Sequence, residues 1–108
     1  MTSRKQRSTG HAAPKPTADE FLASRERLNR ASADFLKIDL QTALTFLHIA
    51  RHTTDVARQE RNREAARRAY NTVVKLMKRV KLNADDTRTI VLGLEQLKSE
   101  LQELGEVF

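Results

Sequence analysis

Cysteine is absent from this sequence of 108 residues, and glycine, proline and aromatic residues are few. Without cysteine the chain has no disulfide, no thiolate nucleophile and no zinc–thiolate cluster, and a reducing compartment suits it. We therefore expect a cytoplasmic protein. The three glycines form no glycine-rich loop ahead of a helix that could cradle a phosphate. One tyrosine and four phenylalanines make no evident platform for stacking nucleic-acid bases.

Long apolar runs are also missing. No stretch approaches the roughly 18 apolar residues of a membrane span, so we expect no membrane partner. The basic N-terminus leads into no apolar segment that could serve as a signal peptide, and it lacks the amphipathic face of a transit peptide. Residues 1–16 lack Leu, Ile, Val and Phe but contain four basic residues and both prolines. Nothing offsets the entropy of ordering them, so the sequence predicts a disordered basic tail there.

Charge is distributed unevenly along the chain, whose formal net charge is +6. Residues 51–81 contain ten basic and three acidic side chains, whereas residues 82–108 contain two basic and six acidic ones. These two segments should attract each other. Short connections favour antiparallel packing of consecutive helices, which would place the basic segment beside the acidic one.

The spacing of apolar residues predicts an all-α fold. Apolar side chains recur at intervals of three and four, the period of a helix with one buried side. The expected helices cover about residues 17–30, 34–53, 56–81 and 84–104. The last three should form an antiparallel three-helix bundle, with the first as a short extra N-terminal helix. Residues 17–108 are therefore expected to fold as a single helical domain.

Helix starts and stops carry their own signals. Thr17 and Glu20 have the spacing of a capping box, in which side chains satisfy free backbone N–H groups. Asn83 is a suitable N-cap, and the two aspartates that follow complement the positive end of the helix dipole. Gly105 supplies a left-handed stop for the last helix.

The helix expected over residues 34–53 has two apolar faces. One is a line of leucines that can pack on the two later helices. The second lies roughly a third of a turn away and is our candidate contact face. It consists of Phe35, Ile38, Phe46 and Ile49. Something must cover it, and the alternatives are the helix over residues 17–30, a second copy of the chain or another protein.

The helix expected over residues 56–81 has a line of basic side chains opposite its apolar side. We call this line the basic face, and it consists of Arg61, Arg68, Lys75 and Arg79. Such a line could follow a phosphate backbone. A solvated helix surface without a ligand has the same pattern.

Metal binding and catalysis find little support in the sequence. His48 and His52 lie four residues apart, with Asp55 nearby, but Ile49 stands where a zinc-protease helix has its glutamate. We interpret the two histidines as solvated residues near a helix end. Serines and threonines lie mostly in the tail or at helix caps, so no activated nucleophile is evident. We predict no catalytic residue, no cofactor, no metal site and no small-molecule substrate.

The run from Arg63 to Val73 resembles the second helix of a tetratricopeptide repeat. Ala66, Tyr70 and Val73 occupy its small, aromatic and small-apolar positions. The run is also similar to the middle helix of the three-helix microtubule-interacting and trafficking domain. Over about residues 40–104, the resemblance implies helix packing and protein binding.

The leading hypothesis from the sequence is a non-enzymatic helical protein-interaction module. Its partner would be another protein or a second copy of the chain. The alternative is nonspecific nucleic-acid binding through the basic tail and the basic second main helix.

Overall fold

The computed structural model describes residues 17–108, and within that range it contains three α-helices and no β-strand. Helix α1 spans Ala18–His52, α2 spans Val56–Met77 and α3 spans Ala84–Glu103. The all-α prediction is confirmed. The predicted disordered tail, residues 1–16, lies outside the described residues. Over residues 17–108, no helix is both long enough and apolar enough to cross a membrane.

Helix α1 differs from the prediction. The sequence predicts a short helix over residues 17–30, separate from the next, whereas α1 runs through both as one helix of 35 residues. The prediction of a separate short helix is wrong. The residues at the expected break, Ala31, Ser32 and Ala33, include no proline or glycine, and alanine is the strongest helix former, so nothing interrupts the helix. A continuous helix cannot fold back to cover its own second apolar face.

The starts of the three helices are capped by side chains. The Thr17 hydroxyl accepts a hydrogen bond from the backbone N–H of Glu20 at 3.1 Å. The Asn83 side chain accepts one from the backbone N–H of Asp86 at 2.7 Å. Both predicted N-caps are confirmed. Asp55 caps α2, because its carboxylate accepts from two backbone N–H groups of the first turn.

Helix α2 ends at Met77, before the expected limit of residue 81. The backbone N–H of Arg79 donates to the carbonyl of Leu76 at 2.9 Å, which tightens the last turn. The chain then leaves the helix, and both Val80 and Leu82 pack against the core from the link to α3. Arg79 therefore lies in that link rather than on α2.

One hydrophobic core is built from all three helices. Its buried residues are Leu36, Leu40, Ala43 and Leu47 of α1, Ala66 and Val73 of α2, and Ile90, Leu94, Leu97 and Leu101 of α3. Gly93 of α3 faces this core. A methyl group added at Gly93 would lie 3.0 Å from Cδ1 of Leu40, so α1 and α3 meet closely at that point.

Helix α3 ends in the predicted left-handed glycine. Gly105 has φ 97°, its N–H donates to the carbonyl of Gln102, and the N–H of Glu106 donates to the carbonyl of Leu101, both at 3.0 Å. This pair of hydrogen bonds is a Schellman motif, which satisfies carbonyls that the helix end leaves free. The chain then turns back towards α2.

The last residues of the chain contact α2 through charge and aromatic packing. Glu106 pairs with Arg63 and Arg67. The guanidinium of Arg67 lies 3.7 Å from the centre of the Phe108 ring, and that ring meets Tyr70 edge-on at 4.9 Å. The acidic end of the chain therefore neutralises part of the basic helix.

Candidate interaction surface

Helix α1 carries a line of large apolar side chains that are more than half exposed. The exposed fractions are 54% for Phe21, 67% for Leu28, 54% for Phe35 and 61% for Ile38. Phe21, Leu28 and Phe35 recur every seven residues, close to two helical turns, so they lie on one side of α1. Three residues after each of them come Ser24, Ala31 and Ile38. We call these six residues the exposed stripe, which covers about 26 Å of helix.

The sequence-predicted contact face divides between the exposed stripe and the core. Phe35 and Ile38 are exposed and belong to the stripe. Ile49 is half-buried, and Phe46 is half-buried and packs against the core. Thr42 follows the stripe along the same side of α1, and its hydroxyl donates to a carbonyl of the preceding turn. The exposed apolar surface therefore ends near Ile38.

Sequence reasoning missed Phe21 and Leu28 as members of this surface. Their spacing of seven to each other and to Phe35 was the available signal. It was hidden because the expected break after residue 30 assigned Phe21 and Leu28 to a different helix from Phe35.

The first part of α1 stands apart from the core. The buried residues of α1 begin at Ala33, and no residue of the segment 18–32 is buried. An isolated helix of that length has marginal stability in water, so its order depends on continuity with the packed part of α1. The exposed stripe spans both parts.

An apolar cleft of about 280 Å³ adjoins the exposed stripe. It lies between α1 and the end of α2. Its lining residues are Leu28, Ala31, Ser32, Phe35, Leu36, Leu76 and Val80. The cleft extends the apolar surface from α1 onto its neighbour.

A buried aspartate joins α1 to the start of α3. The Asp86 carboxylate lies 2.6 Å from Nζ of Lys37 and 3.1 Å from Nη1 of Arg30, and its side chain is 7% exposed. The hydrogen bond from Lys37, helped by the positive charges of Arg30 and Lys37, holds the pKa of Asp86 below its ordinary value, although burial opposes this shift.

The sequence interpretation gave Asp86 only a role at the helix dipole. A further signal was available, because Asp86 precedes the core residue Ile90 by four and Leu97 by eleven, so all three face the core side of α3. The two ion pairs attach α1 to α3. They therefore help to fix the direction in which α1 leaves the core.

The rings of the two histidines near the end of α1 lie close together at a tilted angle of 36°. The ring centres of His48 and His52 lie 4.3 Å apart, and Nδ1 of His52 lies 2.8 Å from the carbonyl oxygen of His48. Asp55 serves as the N-cap of α2. Across the described part of the chain, no group of three or more His, Cys, Asp or Glu residues could hold a metal ion.

The basic face is exposed to solvent. Arg61, Arg68 and Lys75 are exposed on α2, and Arg79 is exposed in the link after it. Among the ion pairs formed within residues 17–108, none includes any of these four. Their charged groups are therefore exposed to solvent without an ion-pair partner among residues 17–108.

No family model, curated protein or solved structure matches this chain.

Proposed function

We propose that this chain is a non-enzymatic, cytoplasmic protein-interaction module whose contact surface is the exposed stripe of α1. The observation that carries the proposal is the exposure of four large apolar side chains along one line of the helix. A phenylalanine side chain can bury about 150–250 Å². Two half-exposed phenylalanines with a leucine and an isoleucine thus present a patch of a few hundred Å², and patches of this size on a monomer are often functional.

The form of the surface suits recognition between helices. A helix that presents apolar anchors three, four and seven residues apart packs well against another helix or into an apolar groove. The rest of α1 is packed in the core, which holds the exposed stripe in one orientation. A preordered helix loses less entropy on binding than a segment that folds on its partner.

We also propose that α1, α2 and α3 pack as an antiparallel three-helix bundle. Gln59, near the start of α2, donates to the carbonyl of Ala50, near the end of α1, at 3.1 Å. Arg63, also early in α2, pairs with Glu106, which lies just beyond the end of α3. Both contacts support alternating directions for successive helices.

The test of this function compares two charge substitutions. The double variant Leu28→Glu with Phe35→Glu places two carboxylates in the stripe, while Leu92→Glu places one on a leucine of α3 that is 58% exposed outside it. Burial of one such side chain contributes about 1.5–3 kcal/mol, so the double variant should bind at least about tenfold more weakly.

The measurement is partner capture by the immobilised full-length chain from a lysate of its source cells, quantified by mass spectrometry. The wild-type chain and Leu92→Glu should retain the same proteins, including added copies of the chain itself, and the stripe variant should lose them. Circular dichroism confirms that all three chains are folded. Equal capture by the stripe variant would eliminate the exposed stripe as the contact surface.

A second candidate function, nonspecific nucleic-acid binding, is favoured by the exposed basic face and the basic residues 1–16. Binding through phosphates should weaken steeply with salt, with a log–log slope of about −0.9 for each phosphate contacted on duplex DNA. Arg68→Glu with Lys75→Glu should lower the affinity at least tenfold and reduce the slope by about two. Arg88→Glu, on α3, is the matched control. No binding of a duplex oligonucleotide at low ionic strength would exclude this function.

A further inference from the structure

We infer that the occupant of the exposed stripe is a second copy of this chain, packed antiparallel along α1 about a two-fold axis midway between Leu28 and Ala31. This inference rests on the proposed function and adds the identity of the partner. Its basis is the order of side chains along the stripe, together with the charges that flank it.

The exposed stripe is complementary to itself when the second copy runs in the opposite direction. In that register Phe35 faces Ser24 of the second copy, and Leu28 faces its Ala31. At each end of the stripe, Phe21 of one copy faces Ile38 of the other. Symmetry repeats each of the two inner contacts, which gives four layers that each combine one large and one small side chain. The two helices can therefore approach evenly along the stripe.

A parallel arrangement would not have this property. It would stack Phe35 on Phe35 and Leu28 on Leu28, and between them it would leave layers formed only by Ser24 or Ala31. Wide and narrow layers would alternate along the pair, which leaves either voids or strain. The antiparallel register is therefore favoured by packing alone.

Charges beside the stripe agree with the same register. Arg27 and Asp34 lie seven residues apart on one flank, and both are exposed. Within residues 17–108 neither belongs to an ion pair. In the antiparallel pair Arg27 lies beside Asp34 of the second copy, and symmetry generates this contact twice.

The size of the surface predicts a reversible dimer. A stable protein interface buries about 800 Å² on each partner, and the apolar part of the exposed stripe supplies a few hundred. The cleft lined by Leu76 and Val80 adds apolar surface beside Leu28 and Phe35. We therefore expect association that depends on concentration.

The test uses opposite charge reversals in the full chain. Arg27→Asp places an aspartate beside Asp34 of the second copy, and Asp34→Arg places an arginine beside its Arg27. Either variant should therefore repel its own copies. An equimolar mixture of the two variants pairs opposite charges at both contacts and should associate again. Sedimentation velocity from about 1 μM to 1 mM, at low salt, measures these equilibria.

We expect the wild-type chain to dimerise, each single variant to dimerise about tenfold more weakly, and the mixture to recover the wild-type affinity. Recovery in the mixture also shows that both variants are folded. A wild-type chain that stays monomeric over this range would overturn the inference of a second copy. Association that neither reversal weakens would overturn the antiparallel register.

Different results would exclude the second copy as the partner and the interaction function of the exposed stripe. If the purified chain is monomeric but Leu28→Glu with Phe35→Glu still abolishes partner capture, the second copy is excluded and the interaction function stands. If the chain is monomeric and that double variant captures the same proteins as the wild type, both proposals are wrong.

Discussion

Asp86 and Asp85 are neighbours in the chain with opposite surroundings. The Asp85 side chain is 91% exposed and lies 3.8 Å from Arg88, whereas the Asp86 side chain is 7% exposed and contacts Lys37 and Arg30 of α1. The difference arises because each residue of a helix is rotated by about 100° from the one before it. Asp86 therefore links two helices, and Asp85 remains a surface residue of the first turn.

We predict that Asp86→Asn lowers the thermal midpoint near neutral pH by more than Asp85→Asn does. The substitution leaves the charges of Lys37 and Arg30 without their buried partner. Thermal unfolding of both variants, followed by circular dichroism, checks this. Equal midpoints for the two variants would show that the Asp86 ion pairs contribute nothing to stability.

The contribution of Asp86 should also depend on pH. Its pKa is lower in the folded chain than its ordinary value, so its stabilising effect is complete above the unfolded pKa of about 3.9. The effect is lost as the pH falls through the folded pKa. The difference in midpoint between wild type and Asp86→Asn should therefore shrink below about pH 4. A difference that stays constant down to pH 2 would contradict the ion pairs.

At the scale of elements, α1 and α3 meet closely where Gly93 faces Leu40. Gly93→Ala should improve helix propensity by about 1 kcal/mol. The new methyl group would also press on Cδ1 of Leu40, a buried side chain with little room to move. We predict that the two effects nearly cancel in the wild-type chain.

The background variant Leu40→Ala separates these effects. It should itself cost about 2–5 kcal/mol and remove the atom that Gly93→Ala would contact. In that background, Gly93→Ala should stabilise the chain by about 1 kcal/mol. Chemical denaturation of the four chains measures the coupling. An identical effect of Gly93→Ala in both backgrounds would show that Leu40 does not restrict this position.

The sequence predicts three of the helix ends well because each of these ends depends on a few local residues. Thr17, Asn83 and Gly105 act on backbone groups within a few residues of themselves, so a single sequence contains the needed information. The continuity of α1 was harder to predict. The exposed stripe begins at Phe21, whereas the core residues begin at Ala33 on another side of the helix. This change of side resembles the boundary between two helices.

The partners of Asp86 could not be predicted in the same way. Lys37 and Arg30 lie 49 and 56 residues before it, and their contact depends on which side of α1 faces α3. For the basic face, the position is predictable from the sequence but the function is not. Its exposure follows from helical periodicity, but periodicity does not distinguish a ligand site from a solvated surface.

At the scale of the whole molecule, charge and apolar surface are separated. Helix α2 has exposed basic residues, without ion pairs among residues 17–108, on the side away from the core, whereas its Arg63 and Arg67 pair with Glu106 after α3. The buried residues of α1 begin at Ala33, and the exposed stripe runs along another side of the same helix from Phe21 to Ile38. The molecule is thus a packed helical body from which the first part of α1 projects, with one apolar side.

The most direct test of self-association through the exposed stripe is sedimentation velocity of three full-length chains over a range of concentrations: wild type, Leu28→Glu and Leu92→Glu. Both substitutions place a carboxylate on an exposed leucine, and only one of these leucines lies in the stripe. We expect the weight-average sedimentation coefficient to rise with concentration for wild type and Leu92→Glu, and to stay at the monomer value for Leu28→Glu. A rise for Leu28→Glu equal to that of Leu92→Glu would contradict this role of the stripe.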